Sequence, residues 1–390
     1  MDCLMEAKQL QPELVAWRRQ LHAHPETGFD LHDTLPYVER QLRNMGLSPV
    51  RCGRAGLVVT LGKHDGKSLL LRADMDALPL REESGLPFAS ENSAMHACGH
   101  DMHTAMLLGA AKLLKVHETE LHGCVKLMFQ PAEEIFEGSK DMIVAGVLKD
   151  PQVDAAMMLH VLGGMPIPVG TVIVCAPGVS APAADYFQIR VQGKGCHGST
   201  PQNGIDPLTA AAHILLGLQE IQARELGSEE TAVITIGKFS GGTVGNVIAD
   251  STLLEGTIRT YDEAVREKVK ARISQIAGGI AVAYRAEAEV SFGSGCPTLV
   301  NDPQLCAAAL RYARELLGEA AVFSAADFSG RGGGSEDFAY ISQAVPSVML
   351  SLAAGGKYPQ HHPAVTFDEA VLPIGAALYA NMALRWLEEQ

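Results

Sequence analysis

Short apolar runs, each breaking into a polar turn, recur through the first half of this 390-residue chain and point to an α/β architecture. Lys67 to Arg72 leads into Ala73-Asp74-Met75-Asp76-Ala77-Leu78-Pro79. Cys124 to Phe129 leads into Gln130-Pro131-Ala132-Glu133-Glu134, with a helix running on toward Leu148, and Asp154 to Leu159 leads directly to His160. A helix from Thr104 to Val116 separates the first two runs. Strand–helix–strand alternation implies right-handed crossovers and a mostly parallel sheet. Ligands of such sheets bind beyond the carboxyl ends of the strands, and Asp76, Glu133, Glu134 and His160 all fall there.

Helices are expected at 12–23, between Pro12 and Pro25, and at 34–45, closed by Gly46. His22 and His24 end the first of these and read as surface or supporting polar groups. The character changes after Pro177-Gly178. Strand Tyr186 to Val191, helix Asp206 to Ile221, strands Ala232 to Phe239 and Ser251 to Tyr261, helix Glu263 to Tyr284 and strand Ala286 to Phe292 give the order βαββαβ. That is the order of a ferredoxin-like unit, a four-stranded antiparallel sheet with two helices on one face. After Gly293-Ser294-Gly295 the earlier style returns, with helices near 303–317 and 368–388. The expected organisation is a catalytic domain at 1–182 and 296–390, interrupted by an inserted domain at 183–295.

Formal net charge is −14, which argues against a nucleic-acid partner, since phosphate binding relies on clustered Lys and Arg. No apolar run approaches the roughly 18 residues that suggest a membrane span. The start, Met1-Asp2-Cys3-Leu4-Met5-Glu6-Ala7-Lys8, does not read as a secretory signal. The eight Cys are scattered, as reduced thiols of a cytoplasmic protein would be.

Met95-His96-Ala97-Cys98-Gly99-His100-Asp101-Met102-His103 packs a thiol, three imidazoles and a carboxylate into nine residues. Cys98 and His100, two apart, suit one transition-metal ion. With Glu134, His160 and one of His361-His362, the donors are of the kind that hold Zn, Mn, Co or Ni. Five exceed the needs of one tetrahedral ion, so two divalent transition-metal ions are expected. Of Glu133-Glu134, one carboxylate binds metal and the other takes a proton from water, unless the pair only opens the next helix. Asp76 orients a ligand imidazole or caps a turn. In the inserted domain, His197 sits in Gly193-Lys194-Gly195-Cys196-His197-Gly198-Ser199-Thr200-Pro201, either donating to an oxyanion as imidazole or imidazolium or standing on a surface hairpin. Asn246 and Arg259 are candidate substrate contacts, Arg259 for a carboxylate.

These motifs, with His24-Pro25-Glu26, Asn246-Val247-Ile248, Gly334-Ser335-Glu336-Asp337-Phe338 and His361-His362-Pro363, resemble the di-metal aminoacylase and carboxypeptidase family of metallopeptidases. The likeness runs end to end and favours the branch of hippurate and auxin-conjugate amidohydrolases. It implies a di-metal catalytic domain and a lid domain that forms a homodimer. It assigns Cys98, His100, Glu134, His160 and, through a His-x-Pro pattern, His361 as metal ligands, and Glu133 as general base. By the same resemblance His197 stabilises the oxyanion, reaching into the partner subunit's site, while Asn246 and Arg259 hold the substrate. Gly163 and Ala249 stand where the family often has Pro, and Gly198-Ser199 replaces a more usual Ala-Ala pair. The expected activity is metal-dependent hydrolysis of a small-molecule N-acyl amino acid. The rivals are a dipeptidase or carboxypeptidase on the same scaffold and a metal-free amidase using Cys98 as nucleophile.

Overall fold

Every residue of the strands Ser68–Asp74 and Cys124–Gln130 is buried, which explains why both are mostly apolar, with Arg72 and Lys126 as buried exceptions. In the computed structural model, residues 2–63, 65–328 and 333–390 are described. The chain forms two compact units, one holding Met1–Ser180 and most of the chain after Val300, the other built on Ala181–Leu299.

The first unit is organised by an eight-stranded sheet. Its order is Val50–Cys52, Gly56–Gly62, Cys124–Gln130, Ser68–Asp74, Ala155–Leu162, Ser347–Ala353, Val172–Val174 and Val322–Ser324. The four central strands run parallel, and antiparallel pairings occur toward the edges. Helices His100–Val116 and Leu372–Glu388 pack closely. At Gly375 an added Cβ would lie 1.8 Å from Met106 Sδ, so only glycine allows that approach. The Tyr379 hydroxyl donates to the Arg72 carbonyl at 2.7 Å and accepts the Leu159 N–H at 3.0 Å, tying the last helix to two central strands. The segment Glu369–Glu388 is long and apolar enough to cross a membrane by composition, but 72% of its most apolar stretch is buried inside the fold, as in a core helix.

The second unit runs strand, helix, strand, strand, helix, strand. Its antiparallel sheet has the order Ala232–Gly241, Ser251–Thr260, Ala183–Gln192, Glu287–Cys296. Ser251–Thr260 alternates buried and half-buried positions, as a strand with one covered face should. Helices Pro207–Glu220 and Glu263–Ala283 supply Ile214, Leu218, Val269 and Ile273 to a core shared with Phe187, Ile189, Leu254 and Ile258. Asp206 and Asp262 cap these helices by accepting the N–H of Leu208 and Val265.

Several sequence expectations shift. The helix after Cys98 begins at His100 rather than Thr104, and the one toward Leu148 is only Gly138–Val144. His160 lies within the strand Ala155–Leu162 rather than beyond it. His22 is buried, not a surface group. Its Nδ1 lies 2.8 Å from Asp101 Oδ2 and its Nε2 3.0 Å from Glu82 Oε1. His24 is exposed, beside Gln20.

Candidate metal centre

Gly99 turns the chain between the first two donors. It precedes the His100–Val116 helix at φ +89°, and a Cβ there would meet Val161 Cγ2 at 2.4 Å. The turn puts Cys98 Sγ 3.5 Å from His160 Nε2, with His100 in the same donor group. A second group joins Cys98, Glu134 and His361, and a third joins His100, Glu133 and Glu134. The structure thus brings together all five residues expected to bind metal, with Glu133 beside them.

Hydrogen bonding decides which ring nitrogens face inward. His100 Nδ1 donates to the Asp76 carbonyl at 2.9 Å, and His160 Nδ1 to the Val161 carbonyl at 2.7 Å. Each Nε2 therefore faces the donor group, and in the neutral ring it carries the lone pair. His100 Nε2 lies 3.8 Å from both Glu133 Oε2 and Glu134 Oε1. His100 Nε2 and Glu134 Oε1 are buried with no hydrogen-bond partner, a costly arrangement that a divalent cation would relieve. The donor set, a thiolate, three imidazoles and carboxylates, suits a soft-to-intermediate divalent metal.

The crowding of these groups shifts their proton affinities. Burial, then the Cys98 thiolate, pushes Glu134 up to about 8. Glu133 is held well above the usual carboxylate range by burial, Glu336 and Glu134. Burial opposes charge on Cys98, but His160 and His100 outweigh it and hold the thiol well below its ordinary value. His160 rises to about 9 because the same thiolate outweighs burial.

Glu133 and Glu134 lie outside the next helix, which starts at Gly138, so they do not serve as its acidic first turn. Ala132, just before them, has φ +55°, and its N–H donates to the Gly28 carbonyl at 3.1 Å. His361 has φ +65°, and its N–H donates to the Ala97 carbonyl at 3.0 Å. Backbone held in this left-handed region concentrates at functional sites. His362 faces elsewhere. Its ring stacks on Tyr358 at 4.1 Å, and its Nδ1 accepts the Ala364 N–H.

Asp76 supports this group, but its carboxylate is 3.6 Å from His100 Nδ1 and the carbonyl makes the hydrogen bond. The carboxylate instead accepts the N–H groups of Glu133 and Glu134, at 3.0 and 3.3 Å. Sequence reasoning left several neighbours without a role. Arg72 is fully buried and bonds Asp74 at 2.6 Å, Glu336 at 2.8 Å and Asp337 at 2.9 Å. Asp74 also accepts from His103 Nδ1 at 2.6 Å, while Val161 N–H donates to His103 Nε2. Gln360 Nε2 donates to the Val161 carbonyl at 2.9 Å and lies 4.0 Å from Cys98 Sγ. The available signal was an Arg inside a mostly apolar strand, since a buried charge demands partners.

His197, Asn246 and Arg259 belong to the second unit. His197 is exposed, in a two-residue strand paired with Val247–Ile248, and the Asn246 carbonyl accepts the Gly198 N–H at 2.8 Å. Arg259 lies on the strand Ser251–Thr260, half-buried, 5.9 Å from the Tyr186 ring centre.

Comparison with known proteins gives a consistent family. The chain is 37% identical over 388 residues to an N-acetylcysteine deacetylase of Bacillus subtilis, covering 98% of this chain and 99% of that one. It is 35% identical over 395 residues to the IAA-amino acid hydrolase ILR1-like 2 of Arabidopsis thaliana, covering 97% and 87%. Among solved structures it resembles a dinuclear metal-binding peptidase of the M20 family from Bacillus subtilis. There the TM-score is 0.81 and the identity 34%, over 98% of this chain and 99% of that one. These likenesses, with the clustered donors, support a centre for two divalent ions. The sequence pattern of one family matches residues 70–385, and the chain belongs to peptidase family M20/M25/M40.

Proposed function

We propose that this protein hydrolyses the amide bond of N-acyl amino acids, with acetyl, benzoyl or a similar acyl group, giving a carboxylate and a free amino acid. The convergence of Cys98, His100, Glu134, His160 and His361, with Glu133 buried beside them, carries this reading. The names of the relatives agree with it, one a deacetylase of N-acetylcysteine and the other a hydrolase of IAA–amino acids.

Cys98, His100, Glu134, His160 and His361 would hold the two ions. When bound, the ions, drawn from Mn, Zn, Co or Ni, polarise the amide carbonyl and ease deprotonation of water. Glu133, buried beside the donor group, takes a proton from the attacking water as a carboxylate and returns it to the leaving nitrogen. His197 donates to the oxyanion. Asn246 and Arg259 hold the substrate, Arg259 by pairing with its carboxylate. The second unit acts as a lid that excludes water and as the surface through which a homodimer forms. The protein is assigned to the cytoplasm, where its eight scattered cysteines would stay reduced.

A panel of N-acyl amino acids set against dipeptides tests the substrate class in metal-loaded protein. Release of the amino acid from N-acyl substrates is expected. Cleavage of dipeptides alone would overturn the reading in favour of a peptidase.

A further inference from the structure

His103 is fully buried, and its ring centre lies 5.4 Å from that of His100 and 4.5 Å from that of His160. By residue type it could be a further ligand, and Asp74, His100 and His103 lie close enough together to hold an ion. Its hydrogen bonds argue otherwise. The Val161 N–H donates to Nε2 at 2.9 Å, and a backbone N–H can only donate, so that lone pair is taken. The ring proton is therefore on Nδ1, which donates to Asp74 Oδ1 at 2.6 Å. Asp74 is fixed in turn by Arg72, also at 2.6 Å.

The strand that carries His160 shows why Val161 needs such a partner. Ala155–Leu162 pairs with Ser68–Asp74 only as far as Met158, opposite Arg72. Beyond that point side chains replace the missing strand. Leu159 N–H donates to the Tyr379 hydroxyl, and Val161 N–H donates to His103. A strand residue turns its N–H and its carbonyl to the same edge. The Val161 carbonyl there accepts His160 Nδ1 at 2.7 Å and Gln360 Nε2 at 2.9 Å. The direction of the His160 ring thus depends on where Val161 sits.

We infer that His103 is a positioning residue, which pins Val161 so that its carbonyl aims the His160 imidazole into the metal centre. The inference rests on the ligand role proposed for His160. It adds that the last imidazole of the run Met95 to His103 serves the centre without binding an ion.

The test uses the full-length protein with zinc as the probe. Imidazole nitrogen chemical shifts should show His103 in the Nδ1–H form, unchanged by zinc, while His160 Nε2 shifts on binding. His103→Phe keeps a ring and loses both hydrogen bonds. It should bind zinc about 10–100-fold more weakly in competition with a chelator, and its cobalt-loaded form should show an altered visible absorption spectrum. His103→Gln can still offer an amide oxygen to the Val161 N–H and should lose less on both counts. That variant and the nitrogen shifts carry the test should His103→Phe fail to fold. A zinc-dependent shift at His103 Nε2 would make it a ligand and overturn the inference. So would a His103→Phe protein with unchanged zinc affinity and spectrum. No zinc-dependent change at His160 would instead remove the ligand assignment, and the inference with it.

Discussion

Asp76 grips the backbone of Glu133, its Oδ1 accepting the Glu133 N–H at 3.0 Å, while its own carbonyl accepts from His100 Nδ1 at 2.9 Å. One residue thus holds the backbone of Glu133 and sets the tautomer of the His100 imidazole. Asp76→Ala leaves two N–H groups without acceptors, and partners of this kind typically govern 10–100-fold in metal affinity or activity. We expect a loss of about that size in both metal retention and kcat, checked by metal analysis and initial rates. Asp76→Asn, which keeps one acceptor oxygen and the backbone carbonyl, should lose less.

Glu133 and Glu134 are neighbours in sequence to which the proposed function gives different tasks, and substitution separates them. Glu133→Gln preserves shape but cannot accept a proton. It should keep two ions per chain and lose about 10²–10⁴-fold in turnover. Glu134→Gln should lose bound metal. Metal analysis beside kcat distinguishes the two, and Glu133→Gln turning over at the normal rate would remove the base from the account.

The adjacent histidines give a sharper contrast. His361 Nε2 lies 3.8 Å from Glu134 Oε1, whereas His362 stacks on Tyr358. His361→Ala should lose metal and activity. His362→Ala should cost on the order of 1 kcal/mol of stability through the lost ring contact and leave metal content unchanged. Equal effects would put the loop in the wrong register.

Stability should depend on pH through His22. Burial opposes its charge, but Asp101 and Glu82 outweigh burial and raise its pKa above the ordinary value. A group raised on folding stabilises fully below its unfolded pKa, about 6.5, and that contribution is lost as pH rises through the folded value. Melting temperature should therefore fall as pH climbs above about 6.5, and His22→Gln should flatten that slope while lowering stability at pH 6. Parallel curves for the two proteins would show that His22 is not the charged partner.

Much of this was legible in the sequence because the central strands are buried on both faces and leave unbroken apolar runs, such as Leu69-Leu70-Leu71. The metal-type donors were legible because their residue types are scarce in ordinary loops. What stayed hidden depends on contacts across long sequence separations. The partners of Arg72 lie at Glu336 and Asp337, and no local pattern announces a buried ion cluster closed over that distance. The helix start at His100 was missed because its cap is a left-handed glycine rather than a side-chain acceptor. The burial of His22 depended on Glu82 and Asp101, also remote in sequence.

The most direct measurement strips the protein of metal, restores Mn, Zn, Co or Ni stepwise, and follows release of free amino acid from an N-acetyl amino acid. No release from the stripped protein, with activity returning to a plateau near two ions per chain, is the predicted result. Release that survives chelation and stops on thiol alkylation would contradict the metal centre, and would turn the Cys98–His160 pair, 3.5 Å apart, into the site of a thiol-dependent amidase.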